Sequence, residues 1–515
     1  MTEIFKKSKK FSEEYCCSIV KIGDCQPIKG KDAIWKTTIN GETVVIPTSI
    51  KSGDIVFYSS NETQLNQSFL CVNNLFDSSN YKLNINHMDL QPLVYKKEEL
   101  REKIDSGIDV TEDDIANYDE TNKTIKKYCG FFGKNCRVRT VKLGGVGSMG
   151  FVFTKDLMIN FCPEVRGVDL SQYVGVDFDM VNDELFVKAY VPEVRATQPT
   201  PINTKDERHN ALPSIKIPKN GFAYHYDTKP LPKCVSDLTP DTIIDCSVKL
   251  HGTSFGCGKI LLDVPQRQNI FAKIWNKITR TLSLPYSWNI QPKYDKKYGN
   301  VTFSRTRVRY KSVEGVKSVP QNDIWTEYGR LIYPHLQEGM VVYGEIVGYM
   351  TGSSKFIQHG YDYGCAVGKN KLMPYRISVT NSDGKKTEWT VSEVRKWTEK
   401  LIDLCPDVAD RLLPINVLYH GTIRGMYSEF DGDCKLLGVQ GANIYLLNYL
   451  RGDKERLGME QDEPMCDNKV PREGIVVRTD SSDELVAYKL KTEAFRKREL
   501  KDIDNGEVDI EMTEN

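Results

Sequence analysis

Six charged side chains between residues 249 and 491 have the types and settings that chemistry on a phosphate requires. Lys249 closes an apolar, strand-like run of Ile243, Ile244, Cys246 and Val248, and His251, Gly252, Thr253 and Ser254 follow it. A lysine at a strand end aims its amine into a cleft, and a nearby glycine lets a nucleotide approach the backbone. On the stretch Val248–Phe255 alone, the plainer account is a lysine whose stem lies on apolar surface with its head in water. Arg305 lies in Phe303–Arg309, where basic residues alternate as they would on one face of a strand. A solvated face is the ordinary account of such a run. The functional one is phosphate binding by the guanidinium fork.

Two carboxylates are embedded in apolar runs. Glu345 sits inside Val341–Gly348, and Glu473 precedes Gly474, Ile475, Val476 and Val477. Carboxylates seldom occupy such runs unless they are paired or bound to something. A salt-bridged residue at a strand end is the competing account. Lys489 and Lys491 stand two apart and share a strand face, which is costly unless an anion lies between them. A lysine nucleophile, two acids, an arginine and a lysine pair fit chemistry on a nucleoside triphosphate. The cations would neutralise phosphate oxygens, and the acids would hold Mg²⁺. The same surroundings are expected to depress the pKa of Lys249 from about 10.4 and free its amine.

The elements that must position these residues belong to a long chain. At 515 residues it calls for two or more domains. Its composition, 40% hydrophobic and 27% charged, is that of an ordinary soluble protein. Formal net charge is zero, so any nucleic-acid contact must come from a local basic patch. None of the 14 cysteines forms a Cys-x-x-Cys pair, and we read them as reduced, mostly buried thiols of an intracellular protein without a zinc site. The polar start of the chain does not read as a signal peptide, and no apolar run reaches the roughly 20 residues that span a bilayer.

Residues 14–95 read as short strands: Cys17–Ile22, Ile34–Ile39 and Thr43–Ile46 around the hairpin signal Asn40-Gly41, Ile55–Tyr58, and Phe69–Val72. Such spacing predicts a small barrel or sandwich. Residues 96–104 read as a charged helix and 105–127 as an acidic, solvated insertion. Strand resumes at Arg137–Leu143 and Phe151–Phe153. The glycines of Gly145–Gly150 match a dinucleotide fingerprint, but strand rather than helix follows them, so they predict a tight turn. Prolines between Pro192 and Lys233 mark a linker. Apolar spacing at Val394, Trp397, Leu401 and Leu404 predicts a helix over Val391–Cys405, packed rather than functional.

The ordered series Lys249-Leu-His-Gly, Ser304-Arg305, Tyr343-Gly344-Glu345, Glu473-Gly474-Ile-Val-Val-Arg478 and Lys489-Leu-Lys491 resembles the motifs of covalent nucleotidyltransferases. These are the ATP-dependent RNA and DNA ligases and the mRNA capping enzymes. Cys466–Val476 and Tyr488–Phe495 are most similar to RNA ligases. More loosely, Ile28–Ile34, Val44–Pro47, Lys51–Tyr58 and Val138–Val146 resemble the OB-type domain at the N-terminus of one RNA ligase branch. Only 24 residues follow Lys491, which leaves that module expected before the ligase domain, not after it.

The resemblance implies an α+β fold. Its nucleotidyltransferase (ATP-grasp-like ligase) domain of antiparallel sheets with helices spans 236–500. A small OB-type β-barrel at 1–190 precedes it, with a linker at 191–235 and an acidic tail at 501–515. It implies that Lys249 attacks the α-phosphate of ATP and carries AMP, which passes to a 5′-phosphate end before a 3′-hydroxyl seals the strand. The ATP site would comprise Lys249, His251, Gly252, Arg305, Glu345, Tyr375, Glu473, Lys489 and Lys491. In it Tyr375 would stack on adenine, or stand as an ordinary core aromatic. Glu345 and Glu473 would hold Mg²⁺ or Mn²⁺. Lys489 and Lys491 would stabilise charge in the transition state. The implied partner is RNA with 3′-hydroxyl and 5′-phosphate ends, a nicked duplex, bound by a monomer in a bacterial or viral host cytoplasm. An ATP-dependent DNA ligase, a GTP-using capping enzyme and a non-catalytic nucleic-acid-binding protein on the same scaffold are the alternatives.

The sequence departs from the family pattern twice. His251 stands where the lysine motif usually has Asp, removing a negative charge two residues from the nucleophile. The 56 residues from Lys249 to Arg305 are also a long span. Residues 264–298, with Trp275, Trp288 and several lysines, read as inserted, either as a surface elaboration or as an element touching single-stranded nucleic acid.

Overall fold

A computed structural model describes residues 4–107, 110–190, 215–218, 222, 225–226, 228–266, 270–282, 290, 293–305, 307–315, 323–381, 383–452, 457, 459–479 and 485–504. The chain divides into two compact units, Met1–Val191 and Pro192–Asn515.

In the first unit, Phe151–Phe153, Ile55–Ser59, Cys17–Lys21 and Asp177–Phe178 lie side by side in an antiparallel sheet. Its apolar side packs into a phenylalanine-rich core that includes Phe5, Phe57, Phe69, Phe153 and Phe178. Gln26–Ile28, Lys31–Ile39 and Glu42–Pro47 form a separate sheet. Asn40 and Gly41 turn its hairpin at positive φ (49° and 72°), as the Asn-Gly pair predicts. The glycines after Leu143 open no helix. Val141–Leu143 pairs with Val146–Ser148, and Phe151–Phe153 continues as strand. Among the described residues, these strands form separate sheets and not one closed barrel.

Three local expectations in this unit fail. Phe69–Val72 belongs to a helix, Gln67–Val72, because the Asn66 carboxamide caps it by accepting from the Ser68 and Phe69 amides (2.8 and 3.4 Å). Between Arg137 and Leu143, strand runs only over Val141–Leu143. Residues 105–127 are not a loose insertion, whereas the charged helix expected over 96–104 is present within a longer one. Two helices, His87–Ser106 and Glu112–Lys127, pair there; Thr111 and Asp114 form a capping box, and Thr121 and Ile125 are buried.

The strands of the second unit are Lys229–Pro230 (β1), Ile243–Lys249 (β2), Thr253–Pro265 (β3), Tyr294–Phe303 (β4), Val308–Ser312 (β5), Met340–Gly348 (β6), Asn370–Thr380 (β7), Lys386–Glu388 (β8), Val417–Thr422 (β9), Gly474–Thr479 (β10) and Ala487–Lys491 (β11). They form two sheets, ordered β1-β11-β10-β2-β9 and β5-β4-β3-β6-β7-β8. Every pairing is antiparallel except β1 with β11. The mixed α/β architecture with antiparallel sheets is therefore as the sequence predicts. The chain leaves one sheet at Lys249 and enters the other at Thr253, so only Leu250, His251 and Gly252 bridge them.

Helices cover both sheets. Ile324–Ile332 and Val391–Leu404 contribute Trp325, Tyr328, Val394 and Leu401 to a core with Phe255, Val342 and Ile377 of the second sheet. Leu404, expected in that stripe, is exposed, because it lies in the last turn beyond the packed face. Phe430–Leu450 places Leu446, Leu447 and Leu450 against Ile475, Val477 and Leu490 of the first sheet.

Other expected boundaries move. Residues 191–214 of the linker lie outside the described residues, but Lys216 already pairs with Asp263 and Lys229–Pro230 joins a sheet, so the chain is tied to the second unit well before 235. The span 264–298 is narrower as an insertion than expected. β3 and β4 extend the hairpin to the pair Pro265–Tyr294, and Ile270–Thr281 forms a helix; Trp288 is outside the described residues. The final helix, Glu493–Asp504, takes up the start of the expected tail, whose remainder, 505–515, lies outside.

Candidate active site

Alternation on β2 sends Ile244, Cys246 and Val248 into apolar clusters and leaves Asp245, Ser247 and Lys249 on the other side. Residues opposed across antiparallel strands share a face, so register decides Lys249's company. Lys249 stands opposite Gly474 on β10, and Gly474 opposite Lys491 on β11. One row further in are Ser247, Val476 and Lys489. The two lysines of the outer row are thus separated by a residue without a side chain. No other residue fits there, since a Cβ on Gly474 would lie 2.1 Å from the Leu490 carbonyl oxygen.

Glu473, just before β10, supplies the anion. Its Oε1 is 2.7 Å from Lys249 Nζ and 4.0 Å from Lys491 Nζ. Lys491 also holds Glu499, at 3.1 Å. The Glu473 side chain is only 3% exposed, and its Oε2 has no hydrogen-bond partner among the described residues, with His251 Nδ1 at 3.9 Å. Burial alone pushes the Glu473 carboxyl up, but Lys249, His251 and Lys491 together hold it below the usual range. For Lys249 burial favours the neutral amine, yet Glu473 and then Glu345 outweigh it and hold the ammonium above its ordinary pKa. This reverses the expected depression. Among the described residues the nearest charges to the amine are carboxylates, opposed by Lys491.

The bridge between the sheets is fixed by its backbone. The His251 amide donates to the Tyr363 hydroxyl (2.7 Å), the Gly252 amide to Glu345 Oε1 (3.1 Å), and the Gly252 carbonyl accepts from Gln358 Nε2 (2.8 Å). At Gly252 a Cβ would meet the Ile346 carbonyl oxygen at 2.3 Å and Glu345 Cγ at 2.9 Å. The His251 imidazole packs edge-on against Tyr361 and Phe495 (5.1 and 4.9 Å between centroids). The side chain that replaces the usual acid is therefore half aromatic packing and half neighbour of Glu473.

The second sheet brings the remaining residues. Glu345, half-buried on β6, opposes Ser254 on β3 and Met373 on β7. Tyr375 is the extra residue of a β-bulge, since Tyr343 opposes Arg376 while Gly344 opposes Pro374. A bulge re-aims a side chain. Tyr375 is half-buried at the edge of two apolar clusters that hold Met373 and Tyr343. Arg305 is not on a strand. β4 ends at Phe303, the Ser304 amide donates to the Arg307 carbonyl (2.8 Å), and β5 begins at Val308. The basic alternation is a hairpin tip, and Arg305 is exposed on it. Phe303 pairs with Gly256, which puts that tip at the Thr253 end of β3, beside the bridge.

Lys249, His251, Gly252, Glu345, Glu473 and Lys491 thus form one contiguous network, with Lys489 a row behind, Tyr375 on the second sheet and Arg305 on the β4–β5 turn. The sequence reading missed Tyr363, Gln358 and Glu499, which orient the bridge and Lys491. The first two lie in the irregular stretch between β6 and β7, which has no periodicity to reveal them. Glu499 lies one turn and a half into the last helix, eight residues from Lys491.

Among the described residues no group of three or more His, Cys, Asp or Glu is placed to hold a metal by itself. A hard cation that keeps its waters and takes phosphate oxygens needs fewer protein ligands. Glu473 Oε2, buried and unsatisfied, and Glu345 fit such an ion.

Residues 244–491 match a family model described as RNA ligase, a span that begins on the Lys249 strand and ends on Lys491. This segment is an RNA ligase domain. No curated protein matches the chain. Among solved structures, a Naegleria gruberi RNA ligase mutant with ATP and Mn is similar at 15% identity, covering 95% of this chain and 100% of that one with a TM-score of 0.46. Another mutant of that enzyme, with AMP and Mn, is 14% identical over 95% and 99% of the two chains (TM-score 0.47). The same enzyme with PPi is 14% identical over 94% and 98% (TM-score 0.44). No helix among the described residues of the chain is long and apolar enough to cross a membrane.

Proposed function

We propose that the ligase domain joins RNA ends at the expense of ATP through a covalent lysyl-AMP on Lys249. The observation that carries this reading is the outer row Lys249–Gly474–Lys491 set against the buried Glu473. A nucleophilic amine, a second cation beside it and a carboxylate with an unsatisfied oxygen are what nucleotidyl transfer to lysine uses.

In the first step the Lys249 nitrogen bonds to the α-phosphorus of ATP, the bond to the bridging oxygen breaks, pyrophosphate leaves and the amine gives up a proton. In the resting site the amine is an ammonium on Glu473. A ligand that engages Glu473 removes the strongest attraction keeping it so, and burial then favours the neutral, nucleophilic form. Lys491 and Lys489 stabilise the phosphate charge that builds up, Tyr375 stacks on the base, and Arg305 positions phosphate or the acceptor end. Glu345 contacts the ribose or would help hold a metal. When bound, Mg²⁺ or Mn²⁺ would be held by Glu345 and Glu473 and would neutralise phosphate oxygens. An oxygen of a 5′-phosphate then attacks the AMP phosphorus and breaks its bond to the Lys249 nitrogen, and a 3′-hydroxyl attacks the 5′-phosphate phosphorus, giving up its proton, forming the phosphodiester and releasing AMP. The first unit is proposed as an OB-type module that contacts RNA away from the ends; its Lys31–Pro47 hairpin, with Lys51 over the Trp35 ring (4.3 Å), is the surface that supports it.

The test is incubation of the full chain with α-labelled ATP or GTP and a divalent metal. Label should stay on the protein with ATP and vanish in Lys249→Ala. The labelled protein should then seal nicked RNA. Absence of label with ATP, or its persistence in Lys249→Ala, sinks the proposal, and sealing confined to DNA nicks sinks its RNA part.

A further inference from the structure

The helix Ile270–Thr281, set between β3 and β4, is built inside out. Ile270, Phe271, Ile274, Trp275, Ile278 and Leu282 fall within one arc at helical spacing, and all are exposed, Ile270 at 77% and Phe271 at 70%. The side turned inward carries small or polar residues instead. Ala272 and Thr279 are buried, and Asn276 bonds both to the Ile290 amide through Oδ1 (2.7 Å) and to its carbonyl through Nδ2 (3.0 Å). A surface helix ordinarily turns its apolar stripe to the core. Here polar bonds hold the helix by its narrow side, leaving the apolar stripe outward.

Charge indicates what covers that stripe. The helix holds Lys273, Lys277 and Arg280 and no acid, and the sequence has no Asp or Glu between Asp263 and Asp295. On helical geometry Lys273 and Lys277 lie along one edge of the apolar arc, where long stems can lie on apolar surface while their ammonium heads reach outward. Four of the six apolar residues are aliphatic. Aliphatic side chains enter hydrocarbon well but offer nucleobases no ring to stack on. A second copy of the same helix would bring like charges together. The location also sets it apart from the reaction. β3 runs 13 residues from Thr253, beside the bridge, to Pro265, beside the helix, roughly 40 Å at strand rise.

We propose that this helix docks the ligase onto an anionic membrane surface, lying in the interface with its apolar face among the acyl chains and its lysines at the headgroups. Flotation of the full chain with phosphatidylcholine vesicles, with and without phosphatidylserine, tests this. Wild type should float with the anionic vesicles and lose binding as salt rises. Combining Phe271→Asp with Ile274→Asp should lower partitioning by at least about tenfold. Combining Lys273→Glu with Lys277→Glu should weaken anionic binding by roughly fivefold or more per position and abolish the preference for phosphatidylserine. All four positions are on the outer side, so circular dichroism and thermal unfolding should match wild type, and these controls do not depend on the proposed chemistry. Wild type that never floats, or equal flotation of the Phe271→Asp, Ile274→Asp variant, overturns the proposal. So does a wild type that stays off vesicles while that variant loses RNA affinity or self-association, which would assign the face to RNA or to a second copy.

Discussion

Lys249→Met isolates what the lysine does for the resting site. It removes the cation 2.7 Å from a carboxylate that is 3% exposed and whose other oxygen has no hydrogen bond among the described residues. Breaking a fully buried ion pair from one side costs about 3–5 kcal/mol. Lys249 is itself 26% exposed, and Lys491 and His251 remain at 4.0 and 3.9 Å, so the loss should be smaller, about 2–3 kcal/mol. For a unit of this size that is a fall of roughly 3–6 °C in thermal unfolding of the full chain. The pH dependence gives the sign. In wild type the Glu473 pKa is depressed, so its contribution is present above about 4.5 and fades as pH falls toward the folded value. Without Lys249, burial is the largest influence left and raises that pKa, so the penalty grows as pH climbs from 5 to 7.5. The gap between wild type and Lys249→Met should therefore widen over that range. Adding Glu473→Gln should restore about 1–2 kcal/mol, because the buried charge is gone. A Lys249→Met protein as stable as wild type at every pH, or no recovery in the double variant, would falsify the ion pair as the element organising the site.

Three further outcomes follow from the same geometry. Because Glu473 and Glu345 hold Lys249 above its ordinary pKa, the second-order rate of lysyl-AMP formation should climb with pH from 7 through 9 without a plateau, and a plateau near neutrality would show the amine is already free. His251→Asp, which brings back the usual family residue, should not help. It sets a second carboxylate near Glu473 Oε2, which should raise the Glu473 pKa by about one unit, ~1.4 kcal/mol, and slow adenylylation about tenfold; a faster enzyme would show the imidazole is no neighbour of Glu473. Gly252→Ala pushes a methyl into the Ile346 carbonyl and Glu345, and a displacement approaching 1 Å there should cut label transfer on the order of 100-fold in a rate assay, with near-normal transfer counting against the bridge geometry.

Lys249, Glu345, Lys489 and Lys491 of the candidate site were legible in the sequence because they lie on strands whose alternation is local, and Glu473 because it directly precedes one. Lys249, Glu345, Glu473 and the Lys489–Lys491 pair stand out as charges in apolar runs, and a period of two puts both lysines on one face without any knowledge of the fold. The order of these runs along the chain was enough to predict an RNA ligase domain. Local rules failed where side chains compete with pattern. Asn66 turned an apolar run into a helix by capping it, and the Ser304–Arg307 turn took Arg305 off its expected strand.

What the sequence could not determine is which partners meet. Lys249 and Lys491 are 242 positions apart, and only register across β2, β10 and β11 sets them on either side of Gly474. Tyr363 and Gln358 reach the Leu250–Gly252 bridge from more than 100 residues away, through hydrogen bonds that carry no periodic signature. The protonation of Lys249 was likewise a tertiary matter. The acid nearest it in sequence is Asp245, four residues back, yet the carboxylates that raise its pKa are Glu473 and Glu345, 224 and 96 residues away, because Coulomb attraction depends on distance in space rather than along the chain.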